Sequence, residues 1–460
     1  MIIEPGMRLH FMGVGGIGMS GLAQLCKNTG CVVSGCDVKA NALSHRLHEQ
    51  GVRIWEGHDA SHLKETPDVV IYSSAVSSQE SELCQARSHG IAVISRGELL
   101  AALAKERRLI AVAGAHGKTT TSAMAAGLLS AAGWDPTISI GGLVRSLNTN
   151  AHLGKGTYMV AETDESDGSF LHLTPLVAIV TNIDREHLNH YGSFENLRVA
   201  FQQFVGQIAA GGSLIRCVDD PVVRSTLSHP SPLSYGLSSE ADVWADRVCW
   251  QGTGSRFEAW YKGRALGTFR LQVPGRHNVL NALATISLAL ILDIPMVTAK
   301  EALASFQGTQ RRFQVLQLPG DIWFVEDYAH HPAEIHATLC AGRGMGRHRL
   351  VVFQPHRFSR TQSLEKEFIN CFDYADGLIV TDIYPAFEQP IAGVSGERLA
   401  GLIKAHGHPW VRYVPNSEVI DYVSRVVRSG DTVFFLGAGD IGDRCHELAD
   451  RLHSPQRITG

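Results

Sequence analysis

Apolar residues come in short runs separated by glycine-rich or acidic turns, the pattern of buried parallel strands alternating with helices. The runs Arg8-Leu9-His10-Phe11-Met12, Cys31-Val32-Val33-Ser34-Gly35, Val69-Val70-Ile71-Tyr72 and Ile91-Ala92-Val93-Ile94 read as strands of a first α/β unit, with a helix between the last two. Residues 98–108 read as a charged helix that closes it. A second series opens with Leu109-Ile110-Ala111-Val112-Ala113 and an Ala-rich helix over 122–132. It continues through Tyr158-Met159-Val160-Ala161 and Val177-Ala178-Ile179-Val180-Thr181. Residues 213–273 alternate in short irregular segments, such as Arg256-Phe257-Glu258-Ala259-Trp260-Tyr261, and predict an antiparallel insertion. An Ala/Leu-rich helix then runs to Leu292. Beyond Gln310-Arg311-Arg312-Phe313-Gln314 a third series begins, with strands at Ile322-Trp323-Phe324-Val325, Leu350-Val351-Val352-Phe353, Gly377-Leu378-Ile379-Val380-Thr381 and 432–436. The pattern predicts an α/β protein of three domains, 1–107, 108–312 and 313–460, within the two to four that its length suggests.

Composition narrows the function classes. The formal charge of -4 and 19% charged residues leave no basic excess, so no nucleic-acid partner is expected. No apolar run is long enough to span a bilayer, so no membrane association is expected. The first eight residues carry Glu4 and Pro5 and lack a signal pattern. The nine cysteines contain no CxxC pair, and Cys26, Cys31 and Cys36 recur at five-residue intervals, which is not zinc-ligand spacing. Reduced thiols in a cytoplasmic compartment are the expectation.

The chemistry gathers behind the strands. After Ala113 the chain reads Gly114-Ala115-His116-Gly117-Lys118-Thr119-Thr120 and enters a helix. Glycines let backbone N–H groups approach phosphate oxygens, and a helix N-terminus adds partial positive charge. Lys118 would lie over the outer phosphates of a nucleotide, and the Thr119 hydroxyl would ligate Mg²⁺. Val112 stands where the usual loop begins with glycine, so the loop is a shorter form. An ordinary strand-to-helix turn is the alternative.

Gly13-Val14-Gly15-Gly16-Ile17-Gly18 follows the first strand, and Asp37 stands nineteen residues later. This spacing suits a diphosphate on a helix N-terminus with an acid near a ribose, as in NAD or a UDP-sugar. It therefore also admits a nicotinamide-dependent oxidoreductase, or tight packing with no ligand. A second such pattern, Gly437-Ala438-Gly439-Asp440-Ile441-Gly442, follows the last strand.

Two further runs end in Glu162-Thr163-Asp164-Glu165-Ser166-Asp167 and Asn182-Ile183-Asp184-Arg185-Glu186-His187. Ligands collect at the carboxyl ends of strands in open parallel sheets, so Glu162 and His187 are candidate metal ligands on the same edge as Lys118. A solvated loop and a structural histidine are the alternatives. Asn278 and Asn281, three apart, share a helix face that could meet one base edge, although Asn278 could also be a helix cap. In the third series polar residues again follow the strands: Tyr328, His330, His331, His356, Arg357 and Arg360. Guanidinium groups suit carboxylate or phosphate recognition, and the surroundings of His330-His331 favour substrate over zinc.

In this order the motifs resemble the Mur ligases, the ATP-dependent amino-acid ligases of peptidoglycan precursor synthesis. The match runs through Gly13 to Ser20, the phosphate loop, Glu162 to Asp167, Asn182 to His187, Gly275 to Asn281, Arg311-Arg312-Phe313, Asp327 to Pro332 and Gln354 to Thr361. The resemblance implies a Rossmann-like N-terminal domain, a central P-loop ATPase-like domain and a Rossmann-like C-terminal domain. It implies a UDP-sugar at Gly15, Gly16, Ile17, Gly18, Ser20, Asp37, Ser73 and Ser74. ATP would lie at Gly114, Ala115, His116, Gly117, Lys118, Thr119, Thr120, Asn278, Asn281 and Arg312. Mg²⁺ would be held by Thr119, Glu162 and His187. The amino acid would be held by Tyr328, His330, His356, Arg357 and Arg360. Lys118, His187, His330, Arg357 and Arg360 would act in catalysis. Ala115 replaces the more usual Thr. No lysine occurs between Lys155 and Lys262, so the carbamylated lysine of several members is absent. This fits the branch that joins L-alanine to the lactyl carboxylate of UDP-N-acetylmuramate through an acyl phosphate, as a monomer or homodimer.

Overall fold

A computed structural model describes residues 1–145, 149–251, 253–386 and 388–453. Residues 146–148, 252, 387 and 454–460 of the three predicted domains lie outside the described residues. The apolar runs form three sheets. These fall into two compact units, one of Met1–Val248, Arg256–Leu271 and Asn278–Gln307, the other of Cys249–Ser255, Gln272–His277 and Gly308–Gly460.

The first sheet contains β1 (Arg8–Met12), β2 (Val32–Asp37), β3 (Arg53–Glu56), β4 (Val69–Tyr72) and β5 (Ala92–Ser95), in the order β3-β2-β1-β4-β5. All its pairs are parallel. The strand order reverses beside β1, so the crevice where Rossmann-like folds bind ligands lies at the carboxyl ends of β1 and β4. Gly13 and Ser73 follow those two ends. The helix Ile17–Asn28 buries Met19, Leu22, Ala23, Leu25 and Cys26 on one face. The helix predicted over 98–108 is Arg96–Ala104 instead. Ser95 caps it and Glu98 returns a bond to the Ser95 N–H, a capping box that starts the helix earlier. It stops at Ala104 because Arg108 already pairs as a strand.

The second sheet contains β6 (Arg108–Ala113), β7 (Thr137–Val144), β8 (Thr149–His152), β9 (Tyr158–Glu162), β10 (Val177–Val180), β11 (Ser213–Cys217), β12 (Pro232–Gly236), β13 (Val243–Gln251), β14 (Gly254–Tyr261) and β15 (Arg264–Leu271). Its order is β15-β14-β13-β12-β11-β10-β6-β9-β7-β8. The antiparallel insertion expected over 213–273 is shorter than predicted. β11, β12 and β13 pair in parallel and extend the nucleotide-type sheet. The meander comes after them, and Lys262 (φ 47) and Gly263 (φ 80) make the two-residue left-handed turn of a β14–β15 hairpin. The helix predicted from 122 begins at Lys118. Its Thr-rich first turn has weak helix propensity, so only the alanines announce it, yet Thr119, Thr120 and Thr121 are buried and packing holds them.

The third sheet, in the second unit, contains β16 (Gln314–Leu318), β17 (Ile322–Asp327), β18 (Arg349–Phe353), β19 (Gly377–Val380), β20 (Val411–Tyr413) and β21 (Thr432–Leu436). Its order is β16-β17-β21-β18-β19-β20, parallel except for the β16 edge. Alternate residues of its strands fill two apolar layers: Val325, Val351, Phe353 and Phe434 on one face, and Phe324, Val352, Val433 and Phe435 on the other. Among the described residues no helix is long and apolar enough to cross a membrane.

Candidate active site

β6 carries the phosphate loop to the edge of the second sheet. Gly114 has φ +133 and Gly117 φ +80, conformations that side chains rarely adopt, so the two glycines make the turn possible. Neighbouring segments pin the loop. The Thr181 hydroxyl donates to the His116 carbonyl (2.7 Å), and the Asn182 amide both donates to that carbonyl (2.9 Å) and accepts from the His116 N–H (2.8 Å). His116 Nε2 lies 3.1 Å from Asp184 Oδ2. Thr181 and Asn182 therefore hold the loop open, a role that reading along the sequence misses because they are sixty-odd residues downstream.

Lys118 Nζ donates to the carbonyls of Gly114 (2.5 Å) and Ala115 (3.2 Å) and to Glu165 Oε1 (2.7 Å). Burial works against its charge, but Glu165 and Glu162 hold its ammonium above the usual range. Burial pushes the Glu165 carboxyl up to about 7 against the attraction of Lys118. Glu165 Oε2 is buried with no hydrogen-bond partner among the described residues. Such an orphaned oxygen is costly unless something else occupies it.

Glu162, at the end of β9, accepts from the Thr119 hydroxyl (3.1 Å) and from the Gly141 N–H (2.7 Å). The structure thus brings Thr119 and Glu162 together. His187, in a left-handed conformation (φ 57), falls beside a different pair, with Nε2 3.5 Å from Glu186 Oε2 and 3.8 Å from Glu165 Oε1. Glu165 joins the two groups through Lys118, and nothing in the acidic run singles it out from its neighbours. Hard carboxylate and hydroxyl oxygens with an orphaned acceptor make a donor set that fits Mg²⁺.

Asn278 and Asn281 lie inside the helix Arg276–Ile291 and are buried, so Asn278 is not its cap. Asn281 Oδ1 accepts from the Thr121 hydroxyl (3.1 Å), and its Nδ2 lies 3.4 Å from Asn278 Oδ1. Asn281 thus stands against the phosphate-loop helix, with Asn278 behind it.

In the first sheet the Gly15 N–H donates to Asp37 Oδ2 (2.8 Å), and Asn41 Nδ2 donates to the Gly15 carbonyl (3.1 Å). Asp37 braces the glycine turn. Gly16 is the N-cap of the following helix, Ser20 donates to the Ile17 carbonyl, and Ser73 packs against Gly13. Ser74 is exposed. Arg96, not singled out from sequence, lies against Gly18 and pairs with Asp164 (2.8 Å) and Asp167 (3.6 Å). It links the glycine turn to the acidic run.

The second unit has its own cluster at strand carboxyl ends. His330 and His356 face each other with ring centroids 5.6 Å apart, and His356 stacks on Tyr384. Burial, with His330, Arg360, Arg357 and Arg311 nearby, pushes the His356 imidazole down to about 3. It is therefore neutral, and its Nδ1 accepts from Arg360 Nη1 (3.1 Å). Tyr328 lies under the guanidinium groups of Arg311 and Arg312, and Arg312 pairs with Glu334 (3.4 Å). Glu334 also accepts from the N–H groups of His330 and His331. Arg357 carries φ 71 and ψ 137, a strained backbone for a residue with a side chain. The Gly437–Gly442 stretch is packing rather than a phosphate turn. Arg311 donates to the Gly437 and Gly439 carbonyls, and a Cβ at Gly439 would meet Gln354 and Tyr384.

Comparisons with known proteins show the family. Residues 8–108 match the Mur ligase family catalytic domain, 112–289 the Mur ligase middle domain and 311–439 the Mur ligase glutamate ligase domain. The UDP-N-acetylmuramate–L-alanine ligase of Sorangium cellulosum (strain So ce56) is 45% identical over 453 residues, covering 97% of this chain and 96% of that protein. Its counterpart in Anaeromyxobacter sp. (strain Fw109-5) is 47% identical over 450 residues, covering 97% and 98%. The crystal structure of the UDP-N-acetylmuramate–alanine ligase from Thermotoga maritima superposes with a TM-score of 0.84 at 28% identity, covering 97% of this chain and 99% of that one. None of these matches supports the nicotinamide-dependent oxidoreductase reading.

Proposed function

The chain belongs to the Mur ligase family, and on that premise we propose that it joins L-alanine to the lactyl carboxylate of UDP-N-acetylmuramate, with ATP becoming ADP and phosphate. The observation that carries this reading is the 47% identity to an alanine-adding ligase across 97% of the chain. We assign the UDP-sugar to residues 1–107, ATP to 108–312 and the amino acid to 313–460, acting in the cytoplasm as a monomer or homodimer.

A carboxylate attacking a phosphate brings anions together, so catalysis is chiefly charge neutralisation and positioning. Lys118 supplies a fixed ammonium beside the loop's N–H groups. Thr119 with Glu162, and His187 with Glu165, are the two pairs that would hold Mg²⁺, which when bound neutralises phosphate charge. Attack of the lactyl carboxylate on the γ-phosphorus breaks the bond to ADP and forms an acyl phosphate. The alanine amine, after losing a proton, attacks the acyl carbon, and inorganic phosphate leaves. Arg357 and Arg360 are suited to hold carboxylate oxygens, and the neutral His356 keeps Arg360 aimed. Tyr328 and His330 line the same cluster, and Arg312 would reach toward phosphate.

Substrate labelled with ¹⁸O in the lactyl carboxylate tests the sequence of steps. One labelled oxygen is expected in inorganic phosphate. Label released into water with none in phosphate would exclude the acyl phosphate, and label in AMP would replace it with an adenylate. The metal assignment has its own readout. Glu162→Gln is expected to raise the Mg²⁺ concentration for half-maximal activity by about tenfold or more, because one hard anionic oxygen is lost. An unchanged magnesium titration would remove Glu162 from the ligand set.

A further inference from the structure

The five-stranded sheet buries a second group of metal-type side chains apart from the phosphate loop. His10 is in β1, Cys36 in β2, His62 in the 3₁₀ turn Ala60–Glu65, and Glu82 in the helix Ser81–Ser88. His10, Cys36 and Glu82 are buried to within 1%, and the His62 side chain is 8% exposed. One donor atom from each of the four lies within 4.8 Å of all the others.

Several separations are of the size of a coordination shell's edges, with Glu82 Oε1 facing the two histidines and Oε2 facing Cys36. Cys36 Sγ is 3.7 Å from His10 Nε2 and 3.3 Å from Glu82 Oε2, and His62 Nδ1 is 3.3 Å from Glu82 Oε1. Donors held tetrahedrally around Zn²⁺ stand roughly 3.3–3.8 Å apart. One edge is shorter: His10 Nε2 lies 2.7 Å from Glu82 Oε1. Cys36 Sγ donates to Glu82 Oε2 and is also within hydrogen-bond reach of His10 Nε2, but among the described residues His62 Nδ1 and Glu82 Oε1 are buried with no partner of hydrogen-bond geometry. Those two atoms lie 3.3 Å apart, and a cation between them would satisfy both.

An outer layer orients them. His10 Nδ1 bonds Ser34 Oγ (3.0 Å), which turns Nε2 inward. The Asp59 N–H donates to Glu82 Oε2 (3.2 Å), His58 Nδ1 lies 3.1 Å from Cys36 Sγ, and Trp55 stacks on His62 at 4.8 Å. Partners of this kind fix the tautomer and direction of metal ligands.

We propose that His10, Cys36, His62 and Glu82 bind one Zn²⁺ as a closed structural site. Four protein donors leave no open position, so the ion would brace the fold and take no substrate. Burial pushes the Cys36 thiol up, so without metal it keeps its proton. Zinc binding forms the Zn–S bond, and that proton leaves to solvent. The brace has a local consequence. The Cys36 carbonyl accepts from the N–H groups of Gly13 (2.8 Å) and Val14 (3.1 Å), and the adjacent Asp37 holds Gly15. The ion would stiffen the glycine turn through β2.

The test uses the full chain, stripped with a chelator, loaded with Zn²⁺ alone and desalted. One equivalent of zinc is expected, with one sulfur neighbour in its X-ray absorption spectrum and a thermal midpoint raised by several degrees. Cys36→Ser and Glu82→Gln should lose that equivalent, while Glu162→Gln, at the phosphate loop, should retain it. In the unaltered chain Co²⁺ should give a thiolate-to-cobalt charge-transfer band. Absence of that band, failure to retain zinc, or retention by Cys36→Ser with the same sulfur signal would overturn the proposal.

Discussion

Lys118→Ala is expected to lower the ligation rate at saturating substrates by about a hundredfold or more, with little change in the fold. The ammonium sits over the loop, donating to two of its carbonyls and to Glu165. Charge grows on the phosphate oxygens as the carboxylate attacks, and a preorganised donor to such charge is worth roughly 3–4 kcal/mol in the transition state. Alanine removes the charge without moving the backbone. It also strips Glu165 of its cation, and that carboxyl, already raised to about 7 by burial, would go over to its neutral form. The variant should therefore remain folded, because protonation spares the site an uncompensated buried charge. Phosphate release under steady-state conditions measures the rate, and near-wild-type turnover would withdraw the loop from phosphate chemistry.

Gly114→Ala should damage both stability and activity. A Cβ there would stand 2.2 Å from Thr181 Oγ1, 2.9 Å from the Asn182 carbonyl oxygen and 3.1 Å from its nitrogen. Those atoms belong to the segment that pins His116, so the clash cannot be relieved by a flexible side chain alone. The φ of +133 adds strain of order 1–3 kcal/mol, and overpacking adds roughly 1–3 kcal/mol. A loop displaced by about 1 Å costs on the order of a hundredfold in rate. Gly127→Ala is the control, since it lies on the exposed face of the helix Lys118–Ala131 with nothing among the described residues within 4 Å of the added Cβ. It should be neutral or stabilising by roughly 0.5–1 kcal/mol. Thermal unfolding and ATP titration of the two variants separate these outcomes. Equal behaviour of the pair would mean that the loop is not rigidly held.

The strands were legible because a strand buried on both faces is apolar nearly throughout, as in 109–113, 177–180 and 432–436. The chemistry behind them was legible for a related reason: parallel strands deliver the residues at their carboxyl ends to one edge. Helix starts were less legible. Ser95 and Glu98 begin a helix through a cap, and Lys118 begins one in a threonine turn that packing stabilises, so neither start stands out in an apolar count. The antiparallel segment looks longer in sequence than it is because β11 to β13 alternate like a meander but pair in parallel, and pairing direction is a property of the partner strand.

By itself the sequence determined the three α/β series, the phosphate loop, the two acidic or histidine-bearing strand ends and the resemblance to amino-acid ligases. These are encoded locally, in runs of a few residues whose periodicity or spacing carries the physics. Only the tertiary structure decided which acid faces Lys118. Glu165 and Glu162 are three apart in the same run, and the twist of the chain after β9 sends one to the ammonium and the other to Thr119. Only it could show Asn182 holding the loop, Arg96 joining the glycine turn to Asp164, and His10, Cys36, His62 and Glu82 converging beneath the first sheet. Such contacts join residues tens of positions apart, so their chemistry depends on the folding of strands that carry no trace of the partner in their own sequence.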